Sequence, residues 1–179
     1  MPTQPIKLRK DMTVTELYSV HYIEMDKNYV FTGETHEYWE VLYVDRNNVL
    51  VTRDEETFRA VQGDIIMIAP GQFHAFRCDE AHGANMMMLA FGCKSPKMQF
   101  LRGAYCPRFS DTIMGYILQH CKNSFERVLT DPHEHTLVRK PDVWAGRDTF
   151  ISIALTEMLL TIWRNKDTPQ KKDQGRHRR

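Results

Sequence analysis

The stretch Gly33–Val44, GETHEYWEVLYV, decides how the rest of the chain is read. From Trp39 onward it is apolar, yet it carries Glu34, His36 and Glu40. Side chains of a β-strand alternate between its two faces. Read as one strand, it points Glu34, His36, Tyr38, Glu40 and Leu42 to one side and Glu37, Trp39, Val41 and Tyr43 to the other. A strand apolar on both faces is covered on both. A glutamate aimed into such an interior holds a metal, binds a ligand or anchors the fold through a buried pair, because an unpaired buried charge costs several kcal/mol.

Outward from this stretch, short β-prone segments alternate with turn signals. Met12–Glu24 and Tyr29–Thr32 precede it; Arg46-Asn47-Asn48 turns the chain after it. Val49–Arg53, Thr57–Val61, Ile65–Ala69, Phe73–Cys78 and Asn85–Gly92 follow, separated by Asp54-Glu55-Glu56, Gln62-Gly63-Asp64 and Pro70-Gly71. Such spacing predicts a β-sandwich or barrel. Beyond Pro107 the period changes. Ser110 is a good N-cap for a helix whose apolar residues run from Ile113 through Met114, Ile117, Leu118 and Cys121 to Phe125 and Val128. Leu129–Arg147 reads as a connection. A second helix, Arg147–Arg164, carries the stripe Phe150, Ile151, Ala154, Leu155, Met158 and Ile162, with Ile153, Leu159, Leu160 and Trp163 outside it. A helix apolar nearly all round is covered on more than one side.

At 179 residues the chain is most simply one compact unit. Its net charge of +1 argues against a strongly nucleic-acid-binding body, although Arg164–Arg179 carries seven Lys or Arg against two Asp. Its four cysteines, Cys78, Cys93, Cys106 and Cys121, form no Cys-x-x-Cys pair and suit a reducing compartment. The N-terminus has no signal-peptide core, and the apolar window Ile151–Trp163 is too short to span a bilayer. The expectation is a soluble, cytoplasmic protein without a membrane partner.

Gly33, Glu34, His36 and Glu40 with Asn47, then Gly63-Asp64 and Pro70-Gly71-Gln72-Phe73-His74, resemble the two signature stretches of the cupin superfamily. More closely, HEYWEVLYVDR, VQGDIIMIAPGQFHAF and NMMMLAFGC resemble the ligand-sensing N-terminal domain of AraC-type transcriptional regulators, and LTEMLLTIWRN resembles the helix pair that dimerises it. The resemblance covers about residues 12–165. It implies a mainly β fold, a cupin double-stranded β-helix (jelly roll) over 1–105, and a helical dimerisation subregion over 106–165 packed on the barrel; the polar, basic composition of 166–179, with Pro169 and Gly175, predicts a disordered tail. Two positions depart from the pattern: Glu34 stands where a first histidine is usual, and Asn47 where a glycine is usual.

The resemblance implies a pocket of Glu34, His36, Tyr38, Glu40 and His74 for a small polar ligand such as a sugar, a non-enzymatic sensing role and no obligatory cofactor. The helix-turn-helix part of such regulators is not in this sequence, so no sequence-specific DNA binding is expected of this chain. Two histidines with carboxylates also suit Fe(II), Zn, Mn or Ni, and a metal would be held by His36, Glu40, His74 and Glu34. A free-standing metal-dependent cupin enzyme is therefore the alternative. A third reading is a non-catalytic dimeric cupin that regulates by pairing with another protein. A purely structural Glu40–His36 pair remains compatible with the sensor. A homodimer is expected through Ile153, Leu160 and Trp163. His133-Glu134-His135 reads as a solvated loop, Met86-Met87-Met88 as core packing, and the tail KKDQGRHRR as a solvated terminus.

Overall fold

The structure, a computed structural model, describes residues 4–78, 82–142 and 144–165. The basic tail expected over 166–179 lies outside the described residues. Among the described residues nine strands come first: β1 (Glu16–Met25), β2 (Val30–Glu34), β3 (Trp39–Arg46), β4 (Asn48–Arg53), β5 (Glu56–Val61), β6 (Ile65–Ile68), β7 (His74–Cys78), β8 (Ala84–Gly92) and the short β9 (Tyr105–Cys106). A 3-10 helix, Pro96–Leu101, precedes β9; α1 (Asp111–Ser124) and α2 (Arg147–Asn165) follow it. The strands form two antiparallel sheets, one ordered β1-β8-β3-β6-β9 and the other β2-β7-β4-β5. Apart from the β4–β5 hairpin, the chain passes back and forth between the sheets from β1 to β8, which is the double-stranded β-helix of a jelly roll.

The two faces of β3 explain its unbroken apolarity. Leu42 and Val44 join Ile66, Ile68, Met86 and Met88 in a core closed from the other sheet by residues such as Phe31 and Phe76. Val41 and Tyr43 join a second core with Ile117, Leu155 and Met158 of the helices. One face of this sheet therefore looks into the barrel and the other is roofed by α1 and α2. Met86 and Met88 face the barrel while Met87 faces the helices, so the Met-Met-Met run is packing material for two cores.

The 33–44 stretch is not one strand. β2 ends at Glu34 and β3 begins at Trp39, with a bend between them. Gly33 has φ +105°, and a Cβ there would lie 2.4 Å from the Phe73 ring and 2.7 Å from the His74 carbonyl oxygen. Only glycine combines that conformation with so close a backbone approach. Gly33→Ala should destabilise the fold by about 2 kcal/mol or more, since strain at positive φ alone costs about 1–3. Urea unfolding reads this directly, and a midpoint equal to wild type would refute the steric argument.

Ser110 caps α1 as expected, its Oγ accepting from Ile113 N at 3.3 Å. The helix is shorter than its apolar period suggests: Phe125 is already extended (φ −114°, ψ 153°), and Val128 lies outside. α2 spans Arg147–Asn165, but its buried face differs from the expected stripe. Phe150 is 42% exposed, whereas Leu159 is fully buried. Phe150 stacks on His120 and neighbours Trp144 at the helix surface instead. Ser152 Oγ donates to Val14 O at 2.5 Å and Thr156 Oγ1 accepts from Val14 N at 3.1 Å, so the segment before β1 runs along α2.

Candidate functional site

Glu40 projects from the inner face of β3 and His74 from the inner face of β7, on opposite sheets. Both are buried. The turn before β7 is pinned in place: Gln72 Oε1 accepts from Ala69 N at 3.1 Å, Gln72 Nε2 donates to Asp54 Oδ2 at 2.7 Å, and Phe73 N donates to Asp54 Oδ1. Gly71 N donates to His36 O at 2.8 Å, drawing the 35–38 bend onto this turn. Glu34 is set opposite His74 as the last residue of β2, whereas His36 is carried to the barrel mouth by the fold-back of the chain.

The structure brings Glu34, His36, Glu40 and His74 together, with one donor atom of each within 4.8 Å of every other. His74 Nε2 lies 3.0 Å from Glu40 Oε2 and 3.7 Å from Glu34 Oε1, and His36 Nε2 lies 3.5 Å from Glu40 Oε2. Glu34 sits at the rim, its side chain 22% exposed. Tyr38 is not on the inner face of a strand. Its ring stacks between His36, at 3.9 Å, and Tyr18, at 4.7 Å, as an aromatic wall on the mouth.

The orientation of the imidazoles is set from outside the cluster. His36 Nδ1–H donates to Tyr38 O at 3.0 Å, and His74 Nδ1–H faces Gln72 O at 3.4 Å. Each ring therefore turns Nε2 toward the centre, the arrangement that backbone carbonyls impose on metal-ligating histidines. Burial alone would raise the Glu40 carboxyl, but the His36 and His74 imidazoles outweigh it and bring it down to about 2. Burial alone would depress His74, but Glu34 and Glu40 outweigh it and lift it to about 9. At neutral pH the His74 imidazolium faces the Glu40 carboxylate.

These charges are close but not aligned: His36 Nε2, Glu40 Oε2 and His74 Nε2 are buried without a hydrogen-bond partner among the described residues. Two further unpartnered atoms, Ser19 Oγ and His21 Nδ1, lie on the same inner face, where the register sets Ser19 opposite Ala90 and Ala90 opposite Glu40. A buried unpaired polar atom costs about 1–3 kcal/mol, and here several converge on one point. Donors of this kind fit a divalent cation: two imidazole nitrogens and two carboxylates, each imidazole held by a carbonyl behind it. They equally fit a ligand rich in hydroxyls. Glu34, although not a histidine, supplies an oxygen donor to the cluster, so the departure from the usual pattern changes the donor type and keeps the position.

His133-Glu134-His135 lies in a loop with both histidines exposed, as expected, but the loop is anchored beside the site. His21 Nε2–H donates to Glu134 O at 2.7 Å, the His133 ring lies 5.2 Å from that of Phe31, and His135 Nε2 comes within 3.9 Å of Glu34 Oε2. The signal available in the sequence was three ionisable residues in a row between two apolar helices, with nothing local to say where they land.

A groove of about 1040 Å³ lies elsewhere, between residues 9–13 and α2, and is lined by Ile153, Leu160 and Trp163 among others. No helix among the described residues is long and apolar enough to cross a membrane.

A jelly roll with histidines and carboxylates gathered at one mouth is the cupin type of fold. Residues 16–95 match the family model of the AraC-like ligand binding domain. No curated protein matches the chain. Among solved structures the chain is similar to a predicted oxalate decarboxylase from Thermotoga maritima, at 10% identity over 40% of this chain and 64% of that one, with a TM-score of 0.39. It is similar to KdgF from Halomonas sp. at 18% identity, over 44% of this chain and 74% of that one, with a TM-score of 0.37. A cupin protein from Bacteroides fragilis aligns at 15% identity, over 49% and 82% of the two chains, with a TM-score of 0.41. The chain spans slightly under two thirds of the length of the Thermotoga protein.

Proposed function

We propose that this protein is the small-molecule-sensing and dimerisation part of an AraC-type transcription regulator, with Glu34, His36, Glu40 and His74 as the recognition centre and Tyr38 as its aromatic wall. The observation that carries this reading is the convergence of buried polar atoms without a hydrogen bond inside the segment that matches the AraC-like ligand binding domain. Apolar surroundings exclude water while a few fixed polar groups orient a guest. Hydroxyl groups of a sugar-like metabolite would donate to Glu40 and Glu34 and accept from the imidazoles. The helical part, 106–165, presents Ile153 and Leu160 for pairing with a second copy.

The donor geometry favours a second reading, a metal-dependent cupin. The cation would be held by His36, His74, Glu40 and Glu34, and would supply Lewis-acid polarisation of a bound oxygen. The chain's own residues would orient the substrate through Tyr38 and exclude water through the apolar barrel behind Glu40.

A thermal-shift panel of polar metabolites and divalent cations on wild type and Glu40→Leu, paired with native mass spectrometry and elemental analysis, separates the two. For the sensor, a metabolite raises the melting point of wild type but not of the variant, without being consumed; at 100 times its Kd the ligand adds about 2.7 kcal/mol. Stoichiometric metal that disappears in His74→Ala, with turnover of the bound metabolite, would replace the sensor by the enzyme.

A further inference from the structure

The segment joining α1 to α2 crosses the barrel mouth, and its backbone is fixed there from both sides. Leu129 N donates to Val20 O and Tyr22 N donates to Leu129 O, both at 2.9 Å, so the segment adds a rung beside β1. Glu126 N donates to Val138 O at 2.8 Å and closes its base. Between these points Asp131 organises a turn, accepting from His133 N at 2.9 Å on its side chain and from Glu134 N at 3.0 Å on its carbonyl. The buried His21 holds the Glu134 carbonyl from below, and Arg127 pairs with the Glu134 side chain above.

Within this fixed frame the His135 side chain is the freer part. It is 46% exposed, and its polar contact is the long approach to Glu34. The Glu34 carboxylate is bracketed: Oε1 lies 3.7 Å from His74 Nε2, and Oε2 lies 3.9 Å from His135 Nε2. A rim carboxylate with one imidazole on its inner oxygen and another on its outer oxygen joins the buried cluster to the crossing segment.

We propose that His135 is a fifth donor of this site, contacting a divalent cation held by Glu34, His36, Glu40 and His74 and so tying the α1–α2 connection to the loaded site. The proposal rests on the cation reading of the cluster. Borderline cations such as Co²⁺ and Ni²⁺ accept mixed imidazole and carboxylate donors in five or six positions. Glu34 is the rim member of the cluster, and half-exposed His135 stands beside its outer oxygen, from which a turn of the side chain brings the imidazole toward the four donors. His133, two residues away, has its ring against Phe31 and serves as the internal control.

The test is a calorimetric titration of the chelator-treated full chain with Co²⁺, read together with the visible Co²⁺ absorption, for wild type, His135→Ala, His133→Ala and His74→Ala. We expect His135→Ala to weaken Co²⁺ binding by about 10- to 100-fold, the range over which supporting groups tune metal affinity, and to alter the absorption band. His133→Ala should stay within about twofold of wild type, and His74→Ala should abolish binding. His135→Gln, which keeps a polar side chain of similar reach, guards against a folding defect. Wild-type affinity and an unchanged spectrum in both His135 variants would overturn the fifth donor and leave the four-residue site standing. Absence of Co²⁺ binding by wild type would overturn the cation reading, and the role of His135 with it.

Discussion

In the metal-free protein at pH 7, His74→Leu should lower the unfolding free energy by up to about 3 kcal/mol, while Glu40→Leu should cost only about 1. Both substitutions break the same pair at 3.0 Å. The asymmetry comes from what each leaves behind. Removing His74 strands a buried carboxylate with only His36, 3.5 Å away, as a close partner. Its escape is to take up a proton, and at pH 7 that costs about 1.4 kcal/mol for each unit above its ordinary value of 4.5. Removing Glu40 leaves the His74 imidazole without its closest carboxylate, and shedding its proton at pH 7, close to its ordinary value of 6.5, costs almost nothing. Leucine then fills the space, so Glu40→Leu should also be milder than Glu40→Ala, which adds a cavity.

The same reasoning sets the pH dependence. The folded His74 value, about 9, lies above the ordinary 6.5, so its stabilisation is complete below 6.5 and lost as pH rises toward 9. The folded Glu40 value, about 2, lies below 4.5, so its stabilisation is complete above 4.5 and lost as pH falls toward 2. Wild type should therefore be most stable between about pH 4.5 and 6.5 as far as this pair decides it. At pH 5 the stranded Glu40 of His74→Leu protonates for less than about 1 kcal/mol, so the defect should shrink by about 2. Urea unfolding at pH 7 and pH 5 measures both. Equal costs for the two leucine variants at pH 7, or a His74→Leu defect independent of pH, would show that the pair is not charged in the folded protein.

Much of this architecture was legible because it is local. The turns at Asn47, Gly63 and Pro70-Gly71, the two-faced apolarity of Trp39–Val44 and the Ser110 cap are each written within a few residues. The strand reading failed over 35–38, where the chain bends just after Gly33, which takes a positive φ. Glu34 joins the cluster from the end of β2, opposite His74, and His36 through a tertiary bond, Gly71 N to His36 O, that no period encodes. β9 has two residues and pairs with β6 across some forty positions, too short to leave a pattern. The exchange of Phe150 for Leu159 in the buried face of α2 has a different origin. When a helix is apolar nearly all round, the wheel cannot tell which arc the sheet covers, and here the segment around Val14 takes part of the surface as well. His135 was invisible for the plainest reason: its neighbour Glu34 lies about a hundred residues away in the chain.

That redistribution sharpens the remaining prediction, the dimer. Of the three interface residues expected, Ile153 is 57% exposed and Leu160 is 37% exposed. Trp163 is not equally free: its ring stacks at 6.3 Å on Phe100, and Lys97 Nζ stands 5.0 Å from its centroid. Ser152 and Thr156 are occupied by Val14, and Leu159 is in the core. The free apolar surface of α2 therefore centres on Ile153 and Leu160, two turns apart and bordering the groove beside residues 9–13. A twofold axis covers such a patch with its own copy. Leu160→Glu would place two like charges face to face in a desolvated contact, a juxtaposition costing several kcal/mol, so its dimer Kd should rise by more than 100-fold. Multi-angle light scattering at tens of micromolar should give a dimer for wild type and a monomer for Leu160→Glu, with an unchanged far-ultraviolet spectrum because Leu160 carries little of the core. Trp163→Ala should behave in the opposite way, lowering the melting point through lost contact with Phe100 while leaving the dimer largely intact. A monomeric wild type would remove the interface. A Leu160→Glu protein that stays dimeric would move it off this face of α2, and Trp163→Ala monomers with an unchanged melting point would shift its centre toward the C-terminal end of the helix.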